Sequence, residues 1–253
     1  MKRAICFFTG TGNTAFVARK IMERFPDSSL FYLPETEPMA LAEFEEIILL
    51  TPVHIFGLPE IVRRFVRGWK FPGEPRIVLV VTAGGDPGIT VPLMRQALRR
   101  TKKTLAYFRF LKMPNNYIIA YRVTEEDRLA LKESALAIER LLADLADSKT
   151  MSFHPHPFGW LKGMQKVASR SARWTSRFYR VQGCVGCQKC VKACPTANIV
   201  YEGKTVHFGK QCTGCLGCLN VCPVQAIEFG RTTVGKERYV HPEIDLTNLR
   251  PRR

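Results

Sequence analysis

The chain has 253 residues, of which 46% are hydrophobic and 24% charged, and its formal net charge is +16. This is the composition of a soluble globular protein with one large or two ordinary domains, and no apolar run approaches the roughly 18 to 20 residues of a membrane span. Its short apolar N-terminus lacks a signal-peptide cleavage site, so we expect a cytoplasmic protein whose nine cysteines serve metal binding or catalysis rather than disulfides.

Residues 1–150 alternate short apolar runs with helical patterns, which predicts a parallel sheet with helices on both faces. In chain order we predict strand Ala4–Thr9, helix Asn13–Phe25, strand Ser29–Leu33, a weaker helical segment Ala40–Glu46, strand Ile47–Thr51, helix Leu58–Trp69, strand Arg76–Thr82, helix Val91–Lys103, strand Leu105–Leu111 and helix Thr124–Ser148. Such sheets bind ligands beyond the carboxyl ends of their strands.

Residues 151–180 carry six basic side chains and no acidic one. After Pro155 and Pro157, an apolar stripe from Trp160 to Phe178 recurs at helical spacing, which predicts a basic amphipathic linker helix. Its apolar stripe could pack against a neighbouring domain or make peripheral contact with a membrane. Nucleic acid is the least favoured partner, because no recognised binding motif accompanies the charge.

The cysteines of residues 181–253 form an internal repeat. Cys184–Pro195 has the pattern C-x2-C-x2-C-x3-C-P, and the same pattern recurs 28 residues later in Cys212–Pro223. This is the bacterial ferredoxin spacing, in which three thiolates hold one [4Fe–4S] cluster and the fourth ligates the other. We therefore predict two clusters with crossed ligands. One is held by Cys184, Cys187, Cys190 and Cys222, the other by Cys212, Cys215, Cys218 and Cys194.

Zinc and disulfides are the alternatives for these cysteines, but the doubled three-plus-one pattern is not typical of structural zinc. The remaining cysteine, Cys6, lies in a predicted strand and is expected to be a small core residue. Residues 181–230 resemble the two-cluster bacterial ferredoxins, which implies one-electron transfer at low potential.

A Gly/Thr loop follows the first predicted strand and precedes the first helix. Its backbone N–H groups and hydroxyls could hold an anion, and because no lysine follows it is not a Walker A loop. It also lacks the G-x-G-x-x-G dinucleotide pattern, so a terminal monophosphate such as that of FMN suits it best. The alternative is a strand-to-helix turn with capping threonines. The residues concerned are Thr9, Gly10, Thr11, Gly12, Asn13 and Thr14.

Two further loops follow the third and fourth predicted strands, at the same edge of the sheet. Together the three loops make residues 1–150 resemble the flavodoxins, in which the first loop binds the FMN phosphate and the other two flank the isoalloxazine ring. The resemblance implies that the second and third loops bind the cofactor through Pro52, Val53, His54, Phe56, Gly57, Thr82, Gly84 and Gly85. His54 could instead be only a polar loop residue.

The loop after strand four offers no aromatic residue to stack on a flavin, in contrast to many flavodoxins. We expect Phe56, Trp160 or the cluster domain to cover the ring instead.

The order of the two halves resembles the EFR-type flavodoxin–ferredoxin fusions of anaerobic bacteria and archaea, as does the segment Met113–Tyr117. The resemblance implies a flavodoxin-like domain in residues 1–150, the linker in 151–180 and a small α+β two-[4Fe–4S] ferredoxin domain in 181–253, with an extension after Gly230 that remains unexplained. It implies electron transfer between FMN and the clusters.

The basic charge predicts docking of an acidic redox protein of ferredoxin or flavodoxin type, near residues 160–180. Two other functions fit the sequence. The chain could be a ferredoxin-type carrier whose flavodoxin-like half only docks partners, or a redox sensor.

Overall fold

The computed structural model describes residues 1–153 and 179–249. Its larger sheet has five parallel strands in the order β2-β1-β3-β4-β5. The strands are β1 Arg3–Phe7, β2 Ser29–Tyr32, β3 Glu46–Pro52, β4 Arg76–Ala83 and β5 Tyr107–Lys112. The helices beside them are α1 Asn13–Arg24, α2 Glu60–Arg67, α3 Thr90–Arg99 and α4 Glu125–Ala146. This strand order is that of the flavodoxin-like doubly wound fold, so the predicted fold class of the N-terminal half is confirmed.

The central strands are apolar without interruption because both of their faces are buried. Along β3, Ile47 and Leu49 point into a core that also contains residues of α2 and α3, whereas Ile48 and Leu50 point into a second core formed with α1 and α4. Cys6 is completely buried in the first core, as predicted, and burial raises the pKa of its thiol. Both faces of the sheet are therefore packed, and the loops at the strand ends begin from buried strands.

The predicted helix at Ala40–Glu46 is wrong. A single 3-10 turn spans Pro38–Leu41, and β3 already begins at Glu46. Glu46 is fully buried because its carboxylate pairs with Arg3 on β1 and Arg76 on β4, which fixes it in the sheet rather than on a helix. The predicted basic helix of residues 160–178 lies outside the described residues.

The C-terminal half consists of two small antiparallel pairs, β6 Tyr179–Val181 with β9 Ile227–Phe229 and β7 Ile199–Glu202 with β8 Thr205–Phe208. The third cysteine of each motif lies in a short helix, Cys190 in α5 Lys189–Lys192 and Cys218 in α6 Gly217–Val221. The 28-residue repeat of the sequence is repeated in the backbone, since Gln188 and Leu216 precede these helices with φ values of 56° and 60°. This is the small α+β ferredoxin-type domain that the cysteine pattern predicts.

The C-terminal extension returns to the first half of the molecule and lies on the loop before α1. The N–H of His241 donates to the carbonyl of Thr11 at 2.8 Å, and the hydroxyl of Tyr239 donates to Asn13 Oδ1 at 2.6 Å. The His241 ring stacks on Phe16, with centroids 4.1 Å apart. Residues 231–249 therefore tie the two halves together, a role that the sequence did not reveal.

None of the helices within residues 1–153 and 179–249 has the length and apolar character needed to cross a bilayer.

The buried His241 predicts a pH dependence of stability. Burial lowers the pKa of His241 to about 4, well below the value of roughly 6.5 expected in the unfolded chain. As the pH falls from 6.5 towards 4, the unfolded chain binds a proton that the folded chain does not, so the free energy of unfolding decreases. His241→Phe keeps a ring on Phe16 without this titration and should make the decrease shallower in urea denaturation at a series of pH values.

His207→Phe, a change at an exposed position, is the control and should leave the pH dependence of wild type intact. If the His241 variant and wild type lost stability in parallel, the assignment of this titration to His241 would be wrong.

Candidate functional site

A cavity of about 860 Å³ lies beyond the carboxyl ends of β1, β3 and β4. Its volume is within the range of about 300 to 1,000 Å³ that is usual for ligand sites. Twelve of the fourteen predicted cofactor-binding residues line it, and Gly12 and Gly57 do not. The twelve are Thr9, Gly10, Thr11, Asn13, Thr14, Pro52, Val53, His54, Phe56, Thr82, Gly84 and Gly85. The structure thus brings the three predicted loops together at one end of the sheet.

The first loop has the geometry of an anion cradle. Gly12 adopts a φ of 102°, which favours glycine, and its N–H donates to Thr9 Oγ1 at 3.0 Å. Thr14 lies in the first turn of α1, where backbone N–H groups lack partners within the helix, and its hydroxyl is 2.8 Å from that of Thr82. Hydroxyls, N–H groups and the positive end of the helix dipole fit a phosphate monoester, so the loop suits FMN without a lysine.

The second loop is a tight turn with a strained backbone. His54 and Gly57 exchange two backbone hydrogen bonds of 2.8 and 3.0 Å, and between them Ile55 and Phe56 have φ values of 47° and 61°. Positive φ at a β-branched residue costs roughly 1–3 kcal/mol and is maintained only where the surroundings enforce it. Gly88 is part of the surroundings that enforce this turn. Its backbone packs so closely against the turn that a Cβ at Gly88 would lie 2.2 Å from the Phe56 carbonyl oxygen. The turn presents the Phe56 ring, 70% exposed, at the mouth of the cleft.

His54 lies in the wall of the cleft, where its ring meets that of Phe8 edge-on at 5.6 Å. Burial lowers its pKa to about 4, so the imidazole is neutral at physiological pH. A neutral ring next to an aromatic side chain is suited to contact with an uncharged aromatic ligand and adds no positive charge to the cleft.

The opposite wall of the cleft comes from residues that the sequence analysis did not assign to it. The loop Lys210–Leu216, which contains Cys212 and Cys215, lines it together with Thr196, Tyr117 and Tyr121. The cluster domain is therefore one of the elements that cover the cleft, one of the three possibilities considered from sequence. The segment Met113–Tyr117, which carried a family resemblance in the sequence, also belongs to this wall, and its Asn116 donates to Thr11 Oγ1 at 2.6 Å.

The first predicted set of cysteines surrounds one small cavity. Cys184, Cys187, Cys190 and Cys222 all line it, although Cys222 belongs to the second sequence motif. Burial raises the pKa of the Cys190 thiol to about 11, and the neighbouring Cys222 and Cys187 raise it further. Cys187 is exposed at the surface, with Val185 also exposed beside it.

The second predicted set lies deeper. Burial raises the pKa of the Cys215 thiol to about 12, with Cys212 and Cys194 contributing to the rise. Burial likewise holds the pKa of Cys218 well above its usual value, and the nearby Cys215, Cys212 and Cys194 add to the rise. Buried thiols with high pKa values bind as thiolates only where metal charge compensates them, so this donor set fits an iron–sulfur cluster.

Backbone N–H groups point at the sulfur atoms in both sets. Asn198 donates to Cys194 Sγ and Ala226 donates to Cys222 Sγ, each at 3.2 Å and each four residues beyond the cysteine. Such bonds stabilise thiolate ligands and tune cluster potentials. Within the ranges described, no three His, Cys, Asp or Glu side chains converge closely enough to hold one metal ion. A cubane does not need that convergence, because its four thiolates hold a cluster of four iron atoms.

The second set touches the candidate phosphate loop through two glycines. A Cβ on Gly10 would lie 2.6 Å from the carbonyl oxygen of Cys215, and a Cβ on Gly217 would lie 2.8 Å from the carbonyl oxygen of Gly10. The backbones of the two loops can approach this closely only because neither residue has a side chain. We call the second set the inner cysteines and the first set the outer cysteines. The inner cysteines adjoin the cleft and form one continuous site with it.

Part of the C-terminal half matches a known protein family. Residues 179–229 match the 4Fe-4S dicluster domain family. No curated protein matches the sequence. This match and the two four-cysteine motifs indicate an iron–sulfur protein.

Among solved structures, similar folds occur in a flavodoxin from the domain Archaea (14% identity over 56% of this chain and 99% of that chain, TM-score 0.38) and in two-electron reduced Megasphaera elsdenii flavodoxin (20% identity, 53% and 98%, TM-score 0.39). A flavoprotein in complex with FMN from Lactobacillus acidophilus has 13% identity over 43% of this chain and 92% of that chain, with a TM-score of 0.34. At these identities and scores the likenesses add nothing to the fold already assigned from the strand order.

The contact between the two loops predicts a steric effect at Gly10. Gly10→Ala should lower the free energy of unfolding by about 1–3 kcal/mol, because its methyl group would overlap the Cys215 carbonyl. Gly85→Ala is the matched control, since it lies in the same cleft and a Cβ there meets no atom within 4 Å. Denaturant unfolding of both variants under anaerobic conditions would measure the difference. Equal stability of the two variants would show that the loops do not meet as described.

Proposed function

We propose that this chain is an electron-transfer flavo-iron-sulfur protein that holds FMN in the cleft and two [4Fe–4S] clusters in the two cysteine sets. Bound FMN exchanges one or two electrons and each cluster exchanges one, so such a protein can link one-electron and two-electron transfers with a redox partner. The strand order, the cleft at the carboxyl ends of the strands and the match to 4Fe-4S dicluster domains support this proposal.

The observation that carries the proposal is the contact between the inner cysteine loop and the phosphate loop. Gly10 and Gly217 lie backbone to backbone, and Cys212 and Cys215 line the same cleft as the flavin-binding loops. The outer set instead includes the exposed Cys187. The two sets thus extend from the cleft to the protein surface, so electrons would pass through both clusters between a flavin in the cleft and a second site on the surface.

The roles of the residues around the cleft follow from their chemistry. Hydroxyls and N–H groups of residues 9–14 would bind the phosphate, and Asn116 and Tyr239 would hold this loop in place through Thr11 and Asn13. The turn at residues 54–57 and the glycines 84 and 85 would lie along the flavin ring. The inner cysteine loop would exclude water from the opposite side.

The order of the halves supports assignment to the EFR-type flavodoxin–ferredoxin fusions, and the use of cysteines as cluster ligands rather than in disulfides supports a cytoplasmic location.

Anaerobic purification followed by flavin and iron quantitation tests the function directly. The proposal expects about one FMN and about eight irons per chain, from two four-iron clusters. Full iron with no flavin after incubation with FMN would favour the ferredoxin-type carrier with a docking domain. Oxidation-dependent binding of a target without electron transfer would favour the sensor.

The phosphate loop predicts that flavin and iron binding can be separated. Thr11→Val removes a hydroxyl from the cradle, so the affinity for FMN should fall by about tenfold, the equivalent of one hydrogen bond to a charged group. Iron content should be unchanged. Thr104→Val, at an exposed position away from the cleft, should change neither. Fluorescence titration with FMN and colorimetric iron assays give the two readouts, and loss of iron with flavin retained would contradict the assignment.

The crossed pairing predicts which cluster each fourth cysteine serves. Cys222→Ser should disturb the outer cluster, whose other three ligands come from the first motif, while Cys194→Ser should disturb the inner one. Each change should lower the iron content towards about four per chain and alter a different set of signals in electron paramagnetic resonance.

Cys6→Ala is the control, because Cys6 lies in the core of the large sheet and should leave the iron content intact. Cys187→Ser, in the first motif, should alter the same signals as Cys222→Ser. If it instead altered the signals that Cys194→Ser changes, the ligands would not be crossed.

A further inference from the structure

Positive charge is concentrated in one segment of the first half. Residues 55–104 contain ten basic and three acidic residues, a net charge of +7. Residues 1–54 contain five basic and seven acidic residues, and residues 105–153 contain seven of each, giving −2 and 0. The whole excess charge of residues 1–153 therefore lies in the segment that contains α2 and α3.

The fold gathers this charge on one face of the sheet. α2 and α3 pack against each other and cover the core formed by the β3 side chains Ile47 and Leu49. We call their outer surface, with the turn that follows α3, the α2–α3 basic face. Its basic residues are Arg63, Arg64, Arg67, Arg99, Arg100 and Lys102. Helices α1 and α4, on the other side of the sheet, carry acidic and basic residues in mixture.

Like charges crowd together on the α2–α3 basic face. Burial lowers the pKa of Arg67, and the neighbouring Arg63 and Arg100 lower it further against the opposing effect of Glu60. In the parts of the chain that the structure describes, Arg63 pairs with Glu60, whereas Arg67, Arg99 and Arg100 form no salt bridge with a carboxylate. The Nε atoms of Arg63 and Arg67 are buried without a hydrogen-bond partner. Such a surface is stabilised when an acidic partner neutralises it.

The α2–α3 basic face borders the mouth of the cleft. Glu60 and Arg64, in the first half of α2, line the cleft itself, and the exposed ring of Phe56 lies at the same edge. An exposed aromatic side chain next to a surface rich in arginine is a composition typical of protein–protein interfaces. A partner bound here would lie next to the candidate flavin site rather than next to the outer cysteines.

We infer that the α2–α3 basic face is the docking surface for a soluble acidic electron-transfer protein that exchanges electrons at the cleft. The inference rests on the proposed function for the electron exchange, and on the charge distribution for the docking. In each encounter one electron leaves the reduced flavin of the partner, which is thereby oxidised, and reduces the cofactor of this chain. The proposed docking site consists of residues of α2, α3 and the turn that follows α3.

The test compares two variants that lose the same charge. Arg67→Gln/Arg100→Gln removes two arginines from the α2–α3 basic face, and Lys132→Gln/Arg140→Gln removes two exposed basic residues from α4 on the other side of the sheet. The probe is a purified flavodoxin of net negative charge, used once in its reduced state and once in its oxidised state. Binding is measured by biolayer interferometry and electron exchange by stopped-flow absorbance, each at low and at high ionic strength.

At low ionic strength the first variant should bind the flavodoxin with about tenfold lower affinity than wild type and exchange electrons with it about tenfold more slowly. The affinity and the rate of the α4 variant should stay within about twofold of wild type. High salt should remove most of the difference, because it screens exposed charges beyond roughly 8–10 Å. Equal behaviour of the two variants would overturn the inference. Tighter binding of a duplex DNA fragment than of the flavodoxin, lost in the first variant, would instead assign the face to nucleic acid.

The two proposals fail separately in this design. A chain that takes up no FMN but still binds the flavodoxin through Arg67 and Arg100 would refute the proposed function and leave the docking surface standing. A chain with full FMN and iron whose first variant docks like wild type would refute only the docking surface.

Discussion

The contact between two glycine-containing loops organises this molecule. Gly10 belongs to the loop between β1 and α1, Gly217 begins the helix that contains Cys218, and the absence of side chains lets their backbones meet. Neither half alone would form the cleft, because its two walls come from different halves of the chain. The C-terminal extension strengthens the same contact, since His241 and Tyr239 bind the loop from outside. Packing between the halves is therefore part of the candidate cofactor site itself.

This organisation explains why the ferredoxin-type half can be so small. Its own apolar core has few members, and Ile118 from the first half is one of them. Lys236 donates to the carbonyl of Ile118, and Arg128 pairs with Glu237 across the two halves. Small domains usually need metal or other support to remain folded, and here part of that support comes from the neighbouring sheet.

The sequence was informative where a feature depends on residues close together in the chain. The cysteine spacing, the glycine and threonine residues after β1 and the uninterrupted apolar strands are local patterns, and the structure places them as their patterns indicate. The helix expected at Ala40–Glu46 failed because Glu46 is held in the sheet by Arg3 and Arg76, two residues distant in sequence. Tyr121 and Lys210 in the cleft wall, and His241 on Phe16, could not be predicted because they depend on how the halves meet.

The 28-residue repeat has a consequence for how the two cysteine sets can differ. Equivalent positions share their backbone, as Gln188 and Leu216 or Gly186 and Gly214 show, yet Gln188 is exposed whereas Leu216 is 2% exposed. Two copies of one ligand framework thus sit in unlike dielectric surroundings. Because solvent exposure and hydrogen bonding shift the reduction potential of a cluster, duplication of a single motif can yield two unequal potentials without any change in the ligands. The difference in reduction potential between the two clusters is then set by the residues that surround the repeat. Evolution can adjust this difference by changing residues that do not contact iron.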